Sequence, residues 1–334
     1  MSTTHEESMT TPHGSPHAST LKELVDTHLH MPYALLRNPH ESLAVAGVEE
    51  WLRAQGLNRE PGVPEMLRRT RPAELASRTS PGVDADILQI VANQIAYQFV
   101  FDDRAEEVGR RWPDRLLPML CESVAILRDG QPPTTALGAA LADLYRQVQE
   151  RCTPAQAARW AWTSREYVHG LLYESVAQNG AFPLRTGLCT SVRSLTAGVE
   201  PFYPLYEAAR RGESAPEEIH HPVMRRMRRL SVDAAVWTAD LFSAVKEQRA
   251  GGLINLALAH QRARGCSLPV AITLAIRQIN SAIDEFERLR AQIEPVLSPA
   301  GLDCVEGMAG WIGGCYHWSR TVPRYADTAT EPAS

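Results

Sequence analysis

The sequence lacks three patterns that would each indicate a particular class of protein. None of its six cysteines forms a C-x-x-C pair, so their spacing predicts no metal knuckle. No apolar run reaches the roughly 18 residues of a membrane span, and the first residues lack the basic-then-apolar order of a secretion signal. A net charge of −5 gives no electrostatic case for binding nucleic acid or an anionic membrane. We therefore expect reduced thiols and a cytoplasmic location.

Alternating apolar and polar residues, the pattern typical of strands, are also scarce. Apolar residues instead recur at spacings of three and four, which is the helical period, over residues 84–110, 114–128, 134–150, 154–178, 231–262 and 268–296. Thr153-Pro154 fits a helix N-cap followed by proline at the first helical position. No repeat or change in composition divides the chain. We expect one all-α domain over residues 21–326, between disordered polar tails at residues 1–20 and 327–334.

An acidic cluster lies at the end of one of these helical patterns. Asp102 and Glu106 are four residues apart and therefore share a helix face, below the apolar Ile95 and Phe99. Like charges at this spacing repel each other unless a cation lies between them. Hard divalent cations prefer such oxygen ligands. A solvated helix end is the alternative interpretation of this motif by itself.

A second oxygen-bearing pair lies in another helical pattern. Ser243 and Glu247 are again four apart, so a hydroxyl and a carboxylate face the same way. The pair could bind a second hard cation, although serine and glutamate at this spacing are common on exposed helices.

Together, the two motifs resemble the metal-binding motifs of bacterial class I terpene synthases. They are Asp102-Asp103-x-x-Glu106 and Asp240-Leu241-Phe242-Ser243-x-x-Lys246-Glu247. The resemblance runs in order from about residue 24 to residue 325, so it covers nearly the whole predicted domain. It also includes Met31-Pro32, Arg37-Asn38-Pro39-His40, Trp51, Gly252, Asn255-Leu256, Trp311-Ile312-Gly313-Gly314, Trp318 and Arg324-Tyr325.

The resemblance implies a single α-helical barrel with a deep apolar pocket and three Mg²⁺ ions at its mouth. Asp102 would be the main ligand of two ions, with Glu106 as a further candidate and Asp103 as a supporting carboxylate. Ser243 and Glu247 would hold the third ion.

The family pattern also implies residues that act on the substrate diphosphate. Arg193 would sense the diphosphate from a breaking helix, and Arg193 and Tyr325 would act on it directly. Lys246 and Arg324 would contact it as well. Phe99 and Trp318 are the first candidates for pocket walls, since apolar and aromatic surfaces shape and stabilise a carbocation.

The chain departs from the family pattern at two places. Ala239 stands where the second motif usually begins with asparagine, so the third ion loses one protein ligand. Asp240 is adjacent but points about 100° away around a helix, which makes it a supporting residue. The second departure concerns register: counting from Pro183 selects Arg193 as the sensor and the carbonyl of Ala197. Alignment on Gly198 selects Ser194 and the carbonyl of Gly198.

These features predict an enzyme that ionises an isoprenoid diphosphate and cyclises the resulting cation to a terpene hydrocarbon or alcohol. Farnesyl diphosphate is the expected substrate, and geranylgeranyl diphosphate is the alternative. Ala239 keeps open a degenerate protein that binds the diphosphate without catalysis. A homodimer is expected from the resemblance, and no nucleic acid or membrane partner is expected.

Overall fold

A computed structural model describes residues 21–111, 113–180, 185–209 and 212–325. The predicted tails and Pro183 lie outside these residues. The described part contains helices and connecting turns without a strand. Its α-helices are α1 Leu21–His28, α2 Glu41–Ala54, α3 Val63–Thr70, α4 Pro72–Thr79, α5 Ala85–Arg111, α6 Pro113–Asp129, α7 Ala136–Arg151, α8 Pro154–Asn179, α9 Thr186–Thr196, α10 Tyr203–Ala209, α11 Pro216–Ile219, α12 Pro222–Ala250, α13 Leu256–Arg264, α14 Leu268–Ile293 and α15 Pro299–Ser319.

The start of α8 follows the local sequence closely. The Thr153 hydroxyl accepts a hydrogen bond from the backbone N–H of Gln156 at 3.2 Å, and the Gln156 side chain accepts one from the N–H of Thr153 at 3.0 Å. This reciprocal capping box satisfies two N–H groups that the first helical turn leaves without partners. The predicted N-cap at Thr153 is confirmed.

The predicted single helix over residues 231–262 is wrong. The chain forms α12, which begins earlier at Pro222, and then the separate α13. Gly251 ends α12 in the left-handed conformation, at a φ of 73°, as is common after a helix C-terminus. Asn255 then starts α13 by accepting a hydrogen bond from the N–H of Leu258. Apolar residues continue at helical spacing across the break, so periodicity alone does not reveal it.

One continuous hydrophobic core joins the helices. The long α12 packs along α14 and α15, and α15 packs in turn against α4. The contact between α15 and α4 is close, because a Cβ atom on Gly314 would lie 2.6 Å from the backbone of Arg78. Glycine at this position lets the two helix backbones approach each other.

The two helices that carry the predicted metal motifs are both long and are connected through others. Helix α5 packs on α8, α8 packs on α9, and α9 packs on α12. This arrangement brings the C-terminal halves of α5 and α12 to the two sides of one opening. In the part of the chain that the structure describes, no single helix has the length and apolar composition needed to cross a membrane.

Candidate active site at the mouth of the helix assembly

A cavity of about 590 Å³ lies between α5, α8, α9 and α12. Volumes of 300–1,000 Å³ are usual for small-molecule sites. Both predicted metal motifs contribute to its walls. The sequence-predicted site residues that line it are Asp102, Asp103, Glu106, Arg193, Lys246, Glu247 and Arg324.

Asp102 occupies the wall formed by α5. Its carboxylate Oδ1 accepts a hydrogen bond of 2.5 Å from the hydroxyl of Tyr167 on α8. Burial raises the pKa of Asp102 to about 7, against the opposing effects of the Tyr167 hydrogen bond and the positive charge of Arg193. Burial makes ionisation of the Asp102 carboxyl unfavourable, and a bound cation would remove this penalty by pairing with the carboxylate.

The other two acids of the first motif are more exposed. Partial burial raises the pKa of Asp103, although the positive charge of Arg324 opposes the shift. Glu106 forms an ion pair with Arg110 one turn further along α5, and each side chain is 53% exposed. An exposed ion pair of this kind is weak and exchangeable. Glu106 therefore lies at the cavity but already has a cationic partner.

Glu247 occupies the opposite wall, on α12. Burial raises its pKa to about 7, and nearby Asp240 adds to the shift. The side chains of Ser243 and Asn255 oppose it through hydrogen bonds. Ser243 is buried behind this wall, and its Oγ lies 3.4 Å from the amide nitrogen of Asn255. The predicted pair on one helix face is thus present, with Glu247 directly on the cavity.

Asp240 lies behind Arg193 and is fully buried. Its Oδ1 accepts a hydrogen bond of 2.8 Å from Arg193 Nε, and its Oδ2 accepts one of 2.8 Å from the backbone N–H of Leu256. A single carboxylate therefore joins α9, α12 and the start of α13. Burial opposes the positive charge of Arg193, but the carboxylates of Asp240 and Glu247 outweigh that effect and raise the pKa of the guanidinium.

The geometry distinguishes the two registers that the sequence left open for α9. Arg193 lines the cavity, and its Nη1 lies 3.3 Å from the hydroxyl of Thr196. Ser194 points elsewhere: it is buried, and its hydroxyl donates to Asp233 at 2.5 Å. The carbonyl of Gly198 accepts a hydrogen bond from Gln98. These contacts favour Arg193 over Ser194 as the residue that meets a ligand.

Arg324 is another positive group at the cavity, and aromatic side chains pack around it. Its guanidinium lies 5.7 Å from the centre of the Phe99 ring, which stacks on Trp318 at 6.0 Å. Tyr325 packs edge-on against Trp318 at 5.7 Å, and burial raises its pKa to about 12. Phe99 and Trp318 thus support the Arg324–Tyr325 segment and are not among the residues that line this cavity. Their assignment as pocket walls stays a prediction.

Lys246 also lines the cavity, on the α12 side. Its pKa is lowered by partial burial and by the positive charge of Arg324. Lys246, Arg193 and Arg324 line the opening beside its carboxylates, and Arg110, which pairs with Glu106, is a fourth cationic group there. This arrangement suits a ligand carrying several negative oxygens.

Helix α8 contributes to the cavity in a way that was not predicted from the sequence. Glu174 lines the cavity, and burial raises its pKa to about 7 despite the charge of Arg193. Tyr167 and Glu174 are seven residues apart and share a helix face with Leu171 and Gln178. A helix face that begins apolar and ends in acid and amide groups was the available signal.

The donor set fits a hard divalent cation shared with a ligand. Among the described residues, no three His, Cys, Asp or Glu side chains converge into a ready-made metal site. The partly buried carboxylates lie instead on facing walls, Asp102 on one and Glu247 on the other. Mg²⁺ is commonly held by one or two carboxylates together with water and substrate phosphate oxygens. The separation of the carboxylates agrees with that mode of binding.

Comparison with known proteins identifies relatives over the full chain. Residues 94–285 match the family model described as terpene synthase family 2, C-terminal metal binding. The chain is 69% identical over 334 residues to a (−)-α-amorphene synthase of Streptomyces viridochromogenes, covering 100% of this chain and 98% of that protein. It is 30% identical over 305 residues to a (+)-T-muurolol synthase of Roseiflexus castenholzii, covering 89% of this chain and 93% of the relative.

A solved structure gives the same result for the fold. The chain superimposes on germacradien-4-ol synthase from Streptomyces citricolor with a TM-score of 0.75 and 26% identity, covering 88% of this chain and 98% of that structure. The predicted all-α, single-domain fold is confirmed. The family description also indicates use of a divalent metal. Because the matching family model spans more than half of the chain and the amorphene synthase aligns with all of it, the protein belongs to the terpene synthase family.

Proposed function

We propose that the protein is a Mg²⁺-dependent sesquiterpene synthase that ionises and cyclises farnesyl diphosphate. The observation that carries the proposal is a single cavity walled by Asp102 on one side and Glu247 on the other, with Arg193 and Arg324 beside them. The amorphene and muurolol synthases are both named as cyclizing (2E,6E)-farnesyl diphosphate, which supports this substrate over geranylgeranyl diphosphate.

Asp102, with Glu106 beside it, would hold the metal on the α5 wall, and Ser243 with Glu247 would hold it on the α12 wall. Three ions are expected, with the third site weakened because Ala239 offers no side-chain oxygen. When bound, Mg²⁺ would neutralise charge on the diphosphate as its bond to carbon breaks.

The protein's own cations bind and orient the diphosphate. Arg193, Lys246 and Arg324 line the cavity, and Tyr325 lies next to Arg324 in the chain. The carbon–oxygen bond breaks heterolytically, so the diphosphate leaves with the electron pair and the farnesyl chain becomes an allylic cation. These groups are fixed before the reaction and stabilise the charge that develops on the leaving oxygen.

The carbocation then needs a site that excludes water until cyclisation is complete. Loss of a proton from a carbon next to the final cationic centre gives a hydrocarbon. Capture of one water molecule, followed by loss of its proton, gives an alcohol. Both outcomes balance without a redox partner, in agreement with a site built from carboxylates, guanidinium groups and hydroxyls.

A product screen tests the proposal. Purified protein is incubated separately with geranyl, farnesyl and geranylgeranyl diphosphate, with Mg²⁺ or with excess EDTA, and the extracts are analysed by gas chromatography–mass spectrometry. We expect a Mg²⁺-dependent C15 product from farnesyl diphosphate. A product from geranylgeranyl diphosphate alone would assign a diterpene synthase. Binding of diphosphate by calorimetry without any product would assign the degenerate binding protein, with Ala239 as the first residue to restore.

The expected homodimer and the expected cytoplasmic location stay predictions. Light scattering coupled to size-exclusion chromatography tests the dimer.

A further inference from the structure

The face of α5 that leads to the first metal motif carries two amide side chains, Gln94 and Gln98. Gln98 lies one helical turn before Asp102, so the two side chains share a face. Its amide Nε2 donates a hydrogen bond of 2.8 Å to the carbonyl of Gly198, a hundred residues further along the chain. The contact therefore joins α5 to the turn that follows α9.

Gly198 has a left-handed, closely packed position in this turn. Its φ is 60°, the left-handed conformation that side chains rarely adopt. A Cβ atom there would lie 2.5 Å from the amide nitrogen of Gln98 and 3.0 Å from the ring of Tyr167. The direction of the Gly198 carbonyl is thus set by the Gln98 amide, while the Tyr167 ring closes the other side.

Helix α8 contacts both of these elements one turn further along α5. The hydroxyl of Tyr167 donates to Asp102, and the Tyr167 ring packs on Gly198. Helix α5 consequently makes polar contacts at two successive turns, through Gln98 to the turn after α9 and through Asp102 to α8. Residues Arg193 and Thr196, which line the cavity, lie shortly before Gly198.

We propose that Gln98 is a positioning residue that fixes the turn after α9 to the helix carrying the first metal motif. It thereby sets where Arg193 and Thr196 stand relative to Asp102. The expected effect on catalysis rests on the proposed function, because it concerns the geometry between the diphosphate and the reacting chain. The expected effect on the turn after α9 does not rest on that function, since it can be measured in the free protein.

The placement of Gln98 predicts which kinetic quantities respond. Gln98 is not a metal ligand candidate and does not line the cavity, so the Mg²⁺ concentration for half-maximal rate should be unchanged. Small displacements of positioning groups lower the rate of the bond-breaking step and alter the path of the cation. Loss of one hydrogen bond between neutral groups predicts a fall in kcat of roughly three- to tenfold.

The test compares Gln98→Met with Gln89→Met. Methionine has a similar length and shape but cannot donate. Gln89 lies on the same helix, and its amide bonds to Asn93 within that helix, so Gln89→Met is a matched loss of one side-chain hydrogen bond away from the turn. We expect Gln98→Met to lower kcat and change the ratio of terpene products from farnesyl diphosphate, while Gln89→Met behaves as the wild type. Equal behaviour of the two variants would overturn the proposal.

A second readout needs no turnover. Hydrogen–deuterium exchange of the free protein, followed by mass spectrometry, should show faster exchange in peptides covering residues 194–200 of Gln98→Met and unchanged exchange in Gln89→Met. Unchanged exchange of this segment in Gln98→Met would overturn the proposal even if its activity changed. An inactive wild type with the expected exchange difference would instead refute the proposed function and leave the positioning role supported.

Gln98→Asn covers the case in which Gln98→Met does not fold. It keeps an amide in the same face but withdraws it by one methylene from the Gly198 carbonyl. The expected result is the same acceleration of exchange at residues 194–200, with a melting curve that remains cooperative. Wild-type exchange and product ratio in Gln98→Asn would contradict a role that depends on reach.

Discussion

The ion pair between Asp240 and Arg193 has a contribution to the free energy of unfolding that can be predicted from its burial. Asp240 is fully buried, and Arg193 has a side-chain exposure of 22%. Replacing Asp240 by asparagine keeps an oxygen that can accept from the N–H of Leu256, but it leaves the guanidinium facing a neutral partner. Removing one partner of a buried ion pair costs about 3–5 kcal/mol. Because Arg193 retains some solvent and the carboxylate of Glu247 nearby, we expect a loss of about 2–3 kcal/mol in the free energy of unfolding.

A double-mutant cycle isolates the pair. Asp240→Asn, Arg193→Gln and the combined variant are unfolded with urea, and the free energies of unfolding are compared. The combined variant leaves neither member of this ion pair facing a neutral partner, so its loss should be smaller than the sum of the single losses by about 1–3 kcal/mol. Additive losses would refute the reasoning, because they would mean that the two side chains do not stabilise each other. The m-value should stay constant, which confirms that the variants unfold from the same compact state.

Three further predictions concern the metal and the carboxylates. Asp102→Ala should abolish Mg²⁺-dependent turnover, since it removes a shared ligand; turnover near that of the wild type would show that the metal lies elsewhere. Ala239→Asn should lower the Mg²⁺ concentration needed for half-maximal rate, because it restores a side-chain oxygen to the third site; an unchanged Mg²⁺ dependence would mean that residue 239 does not face the ion. The raised pKa of Asp102, about 7, predicts that its stabilising contribution in the metal-free protein is fully present at low pH and is lost as the pH rises through 7. The melting temperature of Asp102→Asn relative to the wild type should therefore increase between about pH 4 and pH 7 and stay constant above that, and a difference that is constant over the whole range would contradict the raised pKa.

The sequence predicted α5, α6, α7, α8 and α14 because their signals are local. The apolar period and the N-cap at Thr153 are short-range features, and α5, α8 and α14 follow them. The exception is the segment predicted as one helix over residues 231–262. There the glycine pair at 251–252 interrupts the backbone without interrupting the apolar pattern, and a periodicity argument passes over it.

The site was predictable where one helix carries both members of a pair. Asp102 with Glu106, and Ser243 with Glu247, are fixed at four-residue spacing whatever surrounds them. Periodicity within one helix does not predict which residues of different helices come together. Contacts such as that between Asp240 and Arg193 depend on packing over 47 residues of chain.

Two further contacts, one made by α8 and one by the turn after α9, also depend on packing between helices and could not be predicted from periodicity. Glu174 faces the cavity because α8 packs between α5 and α9, which is a property of the assembled fold. The bond between Gln98 and the Gly198 carbonyl spans 100 residues. Its only sequence signal is an amide on a helix face that also carries Gln94, and many partners could satisfy such an amide.

The most direct measurement of the central claim is a crystal structure grown with Mn²⁺ and inorganic diphosphate, with anomalous difference maps at the manganese edge. Mn²⁺ takes the same hard oxygen ligands as Mg²⁺. We expect manganese peaks within coordination distance of Asp102 on one wall and of Ser243 and Glu247 on the other. We expect the diphosphate between these peaks, in contact with Arg193 and Arg324. Peaks confined to exposed carboxylates away from the cavity, such as Glu65, with no diphosphate in the cavity, would contradict the proposed metal site.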